Sequence, residues 1–375
     1  MVKPGCIVIA KMMPAGRAII VPNLEKDYIL SSDAVKFIPN DFINTEYLLY
    51  AINSPVYRNQ VMAESHGVTR IRTSLGKLKT YLLPIPPLQE QARIVKQIKS
   101  ISPLIEKYEK KEAERQELDL LFPETLKKSI LQQAVMGKLV PQDENDEPAS
   151  VLLDIIHAEK ASLIKAGKLK KDKHESIIYR RDNSHYEKLD GVERCIDDEI
   201  PFEIPQNWVW CRLSSLGEIV GGGTPKTEEA EYWNGGTIAW LTPADMKYVS
   251  GKYVSHGERF ITNAGLQGSS AQLMPKGTVV YSSRAPIGYV AISLNEICTN
   301  QGFKSLIPAI VGINQYIYYC LIERTPEIQS RASGTTFKEI SGSEFGRTLI
   351  PLPPMNEQKQ IVTEIERILP LCDKL

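Results

Sequence analysis

The sequence lacks the features that mark secreted, membrane-spanning and zinc-stabilised proteins. Its six cysteines are scattered over 375 residues without a Cys-x-x-Cys pair, which favours reduced thiols in a cytoplasm over a disulfide framework or a zinc site. No apolar run is long enough to span a membrane, and the apolar stretch at residues 7–10 is too short for a signal peptide. The formal net charge is zero, which argues against a wholly basic surface but allows local basic patches.

Catalytic motifs are missing as well. The glycine-rich stretch at residues 221–226 does not match the P-loop pattern, and the five histidines have no metal-ligand spacing. The Pro-Pro pairs at 86–87 and 353–354 lack the polar and aromatic neighbours of the amino-methyltransferase turn. No paired carboxylates or nucleophile–base pair stand out. We therefore predict no active site and no metal, although a site assembled from distant residues is left open.

What the sequence does contain is an internal repeat. Residues 84–107 recur at 351–374 with a constant offset of 267, and 12 of these 24 positions are identical. The match extends upstream with small gaps, because Gly5 and Gly16 correspond to Gly277 and Gly288. Residues 1–87 therefore resemble the later part of residues 201–354, and a repeat of this length predicts a duplicated structural unit.

Each copy of the repeat ends in a proline-rich exit and an amphipathic helix. Apolar residues spaced alternately by four and three form a seam that favours packing against another helix. The seam residues are Ile94, Ile98, Ile101, Ile105, Ile361, Ile365 and Ile368. We predict that the two helices pair, and the alternative is that each seam packs on its own globular unit.

The pattern predicts a mixed α/β structure for each unit. Residues 2–10 and 277–282 are typical of short strands, and residues 45–64 and 313–330 of helices. Residues 88–136 can form roughly 70 Å of helix, with Pro103 and Pro123 expected to kink or restart it and Gly137 to cap it. The predicted boundaries are 1–87 for an incomplete first unit, 88–137 for a spacer helix, 138–200 for a connector with a short helix at 148–167, 201–354 for the second unit and 355–375 for the start of a distal helix.

Polar loops rich in Thr, Ser, Asn, Gln, Arg and Lys occur at corresponding places in both units. Such side chains donate hydrogen bonds to phosphates and contact base edges. The candidate DNA-binding residues are Ser32, Arg70, Arg72, Lys77, Lys79, Thr224, Lys226, Thr242, Arg284, Asn300, Gln301, Lys304, Thr335, Thr336 and Lys338. Ordinary solvated loops are the alternative for any single residue, whereas recurrence of the set favours a binding surface. A basic run at residues 165–173 is expected to be a solvated face, with contact to nucleic acid or an acidic partner as the alternative.

Taken together, these segments resemble the DNA-specificity subunit of type I restriction–modification systems. The resemblance covers nearly the whole chain. It rests on the opening Ile-Pro-Gln-Asn-Trp-Val-Trp at 204–210, Gly-Gly-Thr-Pro at 222–225, Pro-Pro-Leu-Gln-Glu-Gln-Ala-Arg-Ile-Val at 86–95 with its echo at 353–362, and residues 127–141 ending in Ala-Val-Met-Gly-Lys-Leu-Val-Pro.

The resemblance implies an α+β fold with two target-recognition domains joined by long antiparallel coiled-coil-like helices. Each domain would recognise one half of a split site in double-stranded DNA, and the helices would set the gap between half-sites. The subunit would have no catalytic activity. Two modification subunits and a restriction subunit would dock on it in the cytoplasm, and S-adenosylmethionine, ATP and Mg²⁺ would bind to those partners rather than to this chain.

The chain departs from that pattern at both ends, since the first recognition domain lacks its opening portion and the distal helix is short. Either the chain is a fragment of a longer protein, or it is a natural short form that a partner completes. Two further functions remain open: a diverged DNA-modifying or DNA-cleaving enzyme, and a coiled-coil adaptor or inactive partial reservoir of specificity-subunit sequence.

Overall fold

The chain forms two compact units, which a computed structural model describes at residues 2–12, 14–23, 29–64, 72–170, 175–284, 286–334 and 338–375. Unit 1 is Met1–Leu118 and unit 2 is Asp119–Leu375, so their boundary lies inside the longest helix. Both units combine helices with sheets, which confirms the predicted α+β class.

Unit 1 is built on a three-stranded antiparallel sheet with strand order β2-β1-β3. Its elements are β1 (Ile7–Ala10), β2 (Ala18–Ile20), β3 (Ala34–Phe37), α1 (Thr45–Asn53), α2 (Pro55–Ala63) and α3 (Leu75–Leu78). Leu48, Ile52 and Val61 pack with Ile7 and Ile9 in one buried cluster. The helix predicted over 45–64 is two helices, because Pro55 occupies the first turn of α2 and cannot continue α1.

The spacer helix α4 runs from Leu88 to Val135 over 48 residues. It continues through Pro103 and Pro123 without a restart, and the alternative that these prolines kink the helix stays a prediction. A proline removes one intrahelical hydrogen bond, and the turns on either side hold the helix together. Gly137 follows in the left-handed region with φ +69°, and Lys138 N donates to Gln133 O over 2.9 Å, as expected of a glycine C-cap.

The connector contains more structure than the pattern predicts. The expected helix is present as α5 (Ala149–Lys165), and its Leu152 and Ile156 are buried in the core of unit 2. Three antiparallel strands follow that were not predicted: β4 (Ser176–Arg181), β5 (Ser184–Leu189) and β6 (Val192–Cys195). The turn between β4 and β5 places Asp182 and Asn183 at positive φ, as two-residue hairpin turns require.

Unit 2 carries the larger sheets. Its remaining elements are β7 (Val209–Arg212), β8 (Gly217–Gly221), β9 (Ile238–Leu241), β10 (Tyr253–Val254), β11 (Arg259–Ile261), α6 (Asn263–Gln267), β12 (Val279–Tyr281), β13 (Val290–Ser293), β14 (Cys298–Thr299), β15 (Lys304–Pro308), α7 (Asn314–Ser330), α8 (Gly342–Gly346), β16 (Leu349–Leu352) and α9 (Met355–Cys372). A five-stranded sheet has the order β10-β13-β12-β15-β8, and a three-stranded sheet has the order β11-β9-β14.

The repeat is visible in matched backbone geometry. Strands β2-β1-β3 correspond to β13-β12-β15, and both sets are antiparallel. Gly5 and Gly277, which are equivalent in the repeat, adopt φ of +81° and +89°.

Two side-chain hydrogen bonds also recur between the units. The Tyr47 hydroxyl donates to Pro84 O over 2.7 Å, and the Tyr316 hydroxyl donates to Pro351 O over the same distance. Gln91 and Gln358 likewise donate to the second proline carbonyl of each exit, at 2.8 and 2.9 Å. The duplicated unit predicted from the sequence is therefore a structural repeat.

One repeat position has diverged in its environment. Glu357 is 1% exposed and accepts hydrogen bonds from Trp208 Nε1 and from Gln142 Nε2. Its equivalent Glu90 lies on the surface and pairs with Arg93. Burial raises the pKa of Glu357 against the lowering effect of its two donors. This carboxylate thus ties α9 to the residue before β7 and to the connector.

The helix-pairing residues have neighbours within their own units. Ile361 and Ile365 are fully buried in the core of unit 2, in the same cluster as Leu131 and Val135 near the end of α4. Lys127 Nζ of α4 also pairs with Asp373 Oδ1 after α9 over 2.6 Å. These contacts place the end of α4 antiparallel to α9 inside unit 2.

In unit 1, Ile94 packs against the cluster of Tyr47, Ala51 and Val95. Ile101 and Ile105 are 40% and 50% exposed, and Ile98 and Ile368 are half-buried. Pairing between residues 94–105 and 361–368 stays a prediction.

In the described part of the chain no helix has both the length and the apolar character needed to cross a bilayer.

Candidate nucleic-acid interface

Five loop segments of unit 2 meet at one end of its sheets. Gly223 N donates to Thr299 O over 2.9 Å, and Asn300 N donates to Leu241 O over 2.9 Å. Ser283 N donates to Gly302 O over 2.7 Å, and Ile340 N donates to Ser283 O over 3.0 Å. We call segments 222–227, 241–245, 282–284, 299–304 and 338–340 the loop cluster. The backbone thus assembles loops that are up to 118 positions apart in the sequence.

Two indole rings hold the glycine-rich segment of the loop cluster. Trp240 Nε1 donates to Gly223 O over 2.9 Å, and Trp233 Nε1 donates to Lys226 O over 3.0 Å. A Cβ on Gly222 would lie 2.0 Å from Asn300 O, so a side chain there is sterically excluded. The segment is consequently fixed by backbone contacts, and the side chains of Thr224 and Lys226 are exposed.

Four of the predicted polar residues form hydrogen bonds within the loop cluster. Thr224 Oγ1 donates to Gln301 Oε1, which joins two exposed side chains from different loops. Thr242 Oγ1 donates to Asp245 Oδ2 over 2.6 Å, and Asn300 Oδ1 accepts from Gly302 N over 2.8 Å. Thr242 and Asn300 therefore stabilise their own turns, whereas Thr224 and Gln301 form a pair at the surface.

Cations surround a single carboxylate at the other side of the loop cluster. Arg284 NH1 and Lys304 Nζ lie 3.7 and 3.5 Å from the two oxygens of Glu339. Both distances are at the long end for ion pairs, and Lys338 next to them is exposed. One carboxylate between two cations leaves a local positive excess, which suits contact with phosphates.

Neutral groups lie beneath the loop cluster. Burial raises the pKa of the Cys298 thiol to about 12. It also raises the pKa of Tyr281 to about 12, despite the opposing hydrogen bond with Thr325. Both groups stay protonated at neutral pH, so the surface charge is set by the Arg, Lys and Glu side chains. Among the described residues, no group of three or more His, Cys, Asp or Glu side chains is placed to hold a metal ion.

Unit 1 repeats part of the backbone arrangement of the loop cluster, at the positions equivalent to segments 282–284, 299–304 and 338–340. Lys11 N donates to Asp33 O over 2.7 Å, which matches Ser283 N to Gly302 O, and Thr73 N donates to Lys11 O over 2.8 Å, which matches Ile340 N to Ser283 O. The Met12–Arg72 bridge likewise corresponds to the Arg284–Glu339 bridge of unit 2.

The predicted residues of unit 1 lie in or near that arrangement. Ser32 and Arg72 are exposed, and the Arg72 guanidinium lies against Met12 Sδ at 3.3 Å. Lys77 Nζ donates to Glu64 O over 2.6 Å, and Lys79 is exposed at the end of α3. Arg70, Thr335 and Thr336 lie outside the described residues.

Comparison with known proteins identifies the family. The sequence model of the type I restriction modification DNA specificity domain matches residues 2–115 and 205–372, more than half of the chain. The chain belongs to this specificity-domain family. The two matched segments contain the two structural repeats, so the predicted duplication and the suspected resemblance are both confirmed.

Individual relatives share parts of the chain to different extents. It is 41% identical over 163 residues to the type I restriction enzyme MjaIX specificity subunit of Methanocaldococcus jannaschii, covering 43% of this chain and 38% of that protein. It is 27% identical over 398 aligned positions to the EcoAI specificity subunit of Escherichia coli, covering 90% of this chain and 61% of that protein. A crystal structure of the HsdS subunit from Thermoanaerobacter tengcongensis aligns with a TM-score of 0.48 and 19% identity, over 100% of this chain and 75% of that chain. The chain thus spans less than two thirds of the length of the MjaIX and EcoAI specificity subunits.

The sequence interpretation of this specificity-domain chain missed an aromatic group beside the loop cluster. Trp233 and Trp240 pack edge to face with ring centroids 5.1 Å apart, and Arg259 lies over the Trp233 ring. The available signal was the recurrence of tryptophan seven positions apart after the glycine-rich loop. Arg259 itself carried no signal, since only the pairing of β11 with β9 brings it opposite Trp240.

Proposed function

We propose that this chain is the non-catalytic DNA-recognition subunit of a type I restriction–modification complex. It recognises a bipartite site, with one half-site for each repeated unit. The observation that carries this proposal is the repetition of one loop arrangement in both units of a specificity-domain chain. Two related surfaces on one polypeptide suit two half-sites, because the strands of a duplex are themselves related by two-fold symmetry.

The loop cluster has the side-chain chemistry that sequence recognition needs. In this proposal Arg284, Lys304 and Lys338 contact phosphates, and the exposed pair of Thr224 and Gln301 contacts base edges; the ion-pair and hydrogen-bond geometry of these side chains supports it. In unit 1 the equivalent positions are taken by different side chains, such as Met12 for Arg284 and Arg72 for Glu339. Different side chains on one backbone arrangement favour two half-sites of different sequence.

The partners in this proposal are double-stranded DNA, two modification subunits and a restriction subunit, assembled in the cytoplasm. S-adenosylmethionine, ATP and Mg²⁺ bind to the modification and restriction subunits, and this chain binds none of them directly. The alternative of a diverged nuclease or methyltransferase is not favoured, because the family that the chain belongs to is defined by DNA specificity.

Co-purification followed by mapping of methylated bases tests the proposal. A tagged copy expressed in its native cells is expected to retain a methyltransferase subunit through purification. Deleting the gene is expected to erase one methylated, two-part motif from the genome, and the tagged copy is expected to restore it. A deletion that leaves every methylated motif in place would refute the proposed function and favour an inactive reservoir.

A control separates recognition from catalysis. The purified chain alone, incubated with DNA, Mg²⁺ and S-adenosylmethionine, is expected to neither cleave nor methylate. Activity of the isolated chain would instead support the enzyme alternative.

A further inference from the structure

Arg259 is held over an aromatic surface at the edge of the loop cluster. Its guanidinium carbon lies 3.4 Å from the centroid of the Trp233 ring and 5.7 Å from that of Trp240. The residue is exposed, and within the described part of the chain its interactions are with these two rings. A cation over an indole face is attracted by the ring quadrupole, so the side chain is oriented without a carboxylate partner.

The same two rings fix the glycine-rich loop. Each indole N–H donates to a carbonyl of that loop, at Gly223 and Lys226. The pair of indole rings therefore positions both the Arg259 guanidinium and the glycine-rich loop that carries the exposed Thr224 side chain. Because stacking occupies only the face of a guanidinium, its N–H groups point outward in the plane and remain available to a ligand.

We propose that Arg259 is a specificity-determining residue that recognises a guanine in the half-site bound by unit 2. This inference rests on the proposed function. A guanidinium donates two parallel hydrogen bonds to O6 and N7 of guanine in the major groove, and no other base offers that pair of acceptors. Orientation by Trp233 before binding reduces the entropy lost when the contact forms.

The experiment uses the complex that the tagged chain forms with its methyltransferase subunits. The probes are a duplex with the mapped motif and a set of duplexes in which one base pair of the half-site is changed at a time. For Arg259→Ala we expect affinity for the mapped motif to fall about 10–100-fold. We also expect preference to disappear at one G·C position while preferences at the others persist. Arg259→Lys is expected to weaken the same preference, because it keeps the charge but loses the planar fork of donors that stacking on Trp233 orients.

Lys276→Ala is the matched control. Lys276 is exposed and precedes β12, whereas the loop cluster follows β12 at its other end, so its removal is expected to leave the preference profile unchanged. An Arg259→Ala variant that weakens all duplexes equally, with a shallower salt dependence and rescue by lysine, would show a phosphate contact and overturn the inference. Unchanged binding with lower thermal stability would show a structural role and overturn it too. If the wild-type complex shows no preference for the mapped motif, the proposed function itself fails.

Discussion

Replacing Glu187 with alanine is expected to lower the free energy of unfolding by about 3 kcal/mol, because the buried Arg212 loses its two-pronged partner and keeps only Glu199. Glu187 is 1% exposed and accepts two hydrogen bonds of 2.8 Å from Arg212, which is 4% exposed. Arg194 and Ser176 donate to the same carboxylate at 2.6 Å. The carboxylate thereby joins the sheet of β4 to β6 to strand β7 of unit 2. Urea unfolding followed by tryptophan fluorescence measures the loss.

The pH dependence of the free energy of unfolding is a second measure of how much the Glu187 carboxylate stabilises the fold. Burial alone would raise its pKa, but the hydrogen bonds from Arg212, Ser176 and Arg194 outweigh burial and lower the pKa to about 2. A carboxyl group with a lowered pKa in the folded state stabilises the protein above its ordinary pKa, and this stabilisation is lost as the pH falls through about 2. The difference in stability between wild type and Glu187→Ala should therefore be constant above pH 4.5 and shrink below it.

Glu193 is the control for Glu187. It lies in the same sheet and pairs with Arg181, but it is on the surface. Because exposed ion pairs are screened by solvent, Glu193→Ala is expected to change stability little. Equal effects of the two substitutions would show that the buried ion pairs do not dock the sheet.

Replacing Gly222 with alanine is expected to abolish sequence-specific DNA binding by the complex. The added Cβ would lie 2.0 Å from Asn300 O and 2.4 Å from Thr299 O. Backbone must move to relieve this overlap, and the displaced loops carry Thr224 and Gln301. We expect affinity for the mapped motif to approach the non-specific level, a loss of roughly 1000-fold, with a stability loss of about 1–3 kcal/mol. Fluorescence anisotropy on duplex DNA measures the first, and urea unfolding measures the second.

Gly221 provides the matched control for Gly222. A Cβ built on it meets nothing within 4 Å, so Gly221→Ala is expected to bind the motif as the wild type does. Normal binding by Gly222→Ala would mean that the glycine-rich loop takes no part in recognition.

The parts of the molecule that could be predicted from the sequence are those that repeat and those in which apolar residues recur at one regular spacing. Two copies of the proline exit and isoleucine seam predicted the duplicated units, and Gly137 predicted the end of α4. The polar loops were also found, because their residue types recur at matching places. In each case the residues on which the prediction depends lie within one segment or occur in both copies of the repeat.

What the sequence did not predict depends on contacts between distant segments. The sheet of β4 to β6 is held to β7 by the ion pair of Arg212 and Glu187, which are 25 positions apart. Its strands are short and charged, so their sequence has no apolar periodicity that would predict a sheet. Arg259 depends on cross-strand pairing with Trp240. Pro103 and Pro123 were expected to kink or restart α4, and the helix does not restart because each proline removes only one hydrogen bond from a helix of 48 residues.

Exchange of residues 201–354 for the equivalent unit of another family member tests the central claim most directly. The methylated motif of the hybrid complex is then mapped in cells that lack the native gene. We expect one half of the motif to change to that of the donor, while the other half and the spacing between them stay as they were. A motif that is unchanged in both halves would contradict recognition of one half-site by residues 201–354.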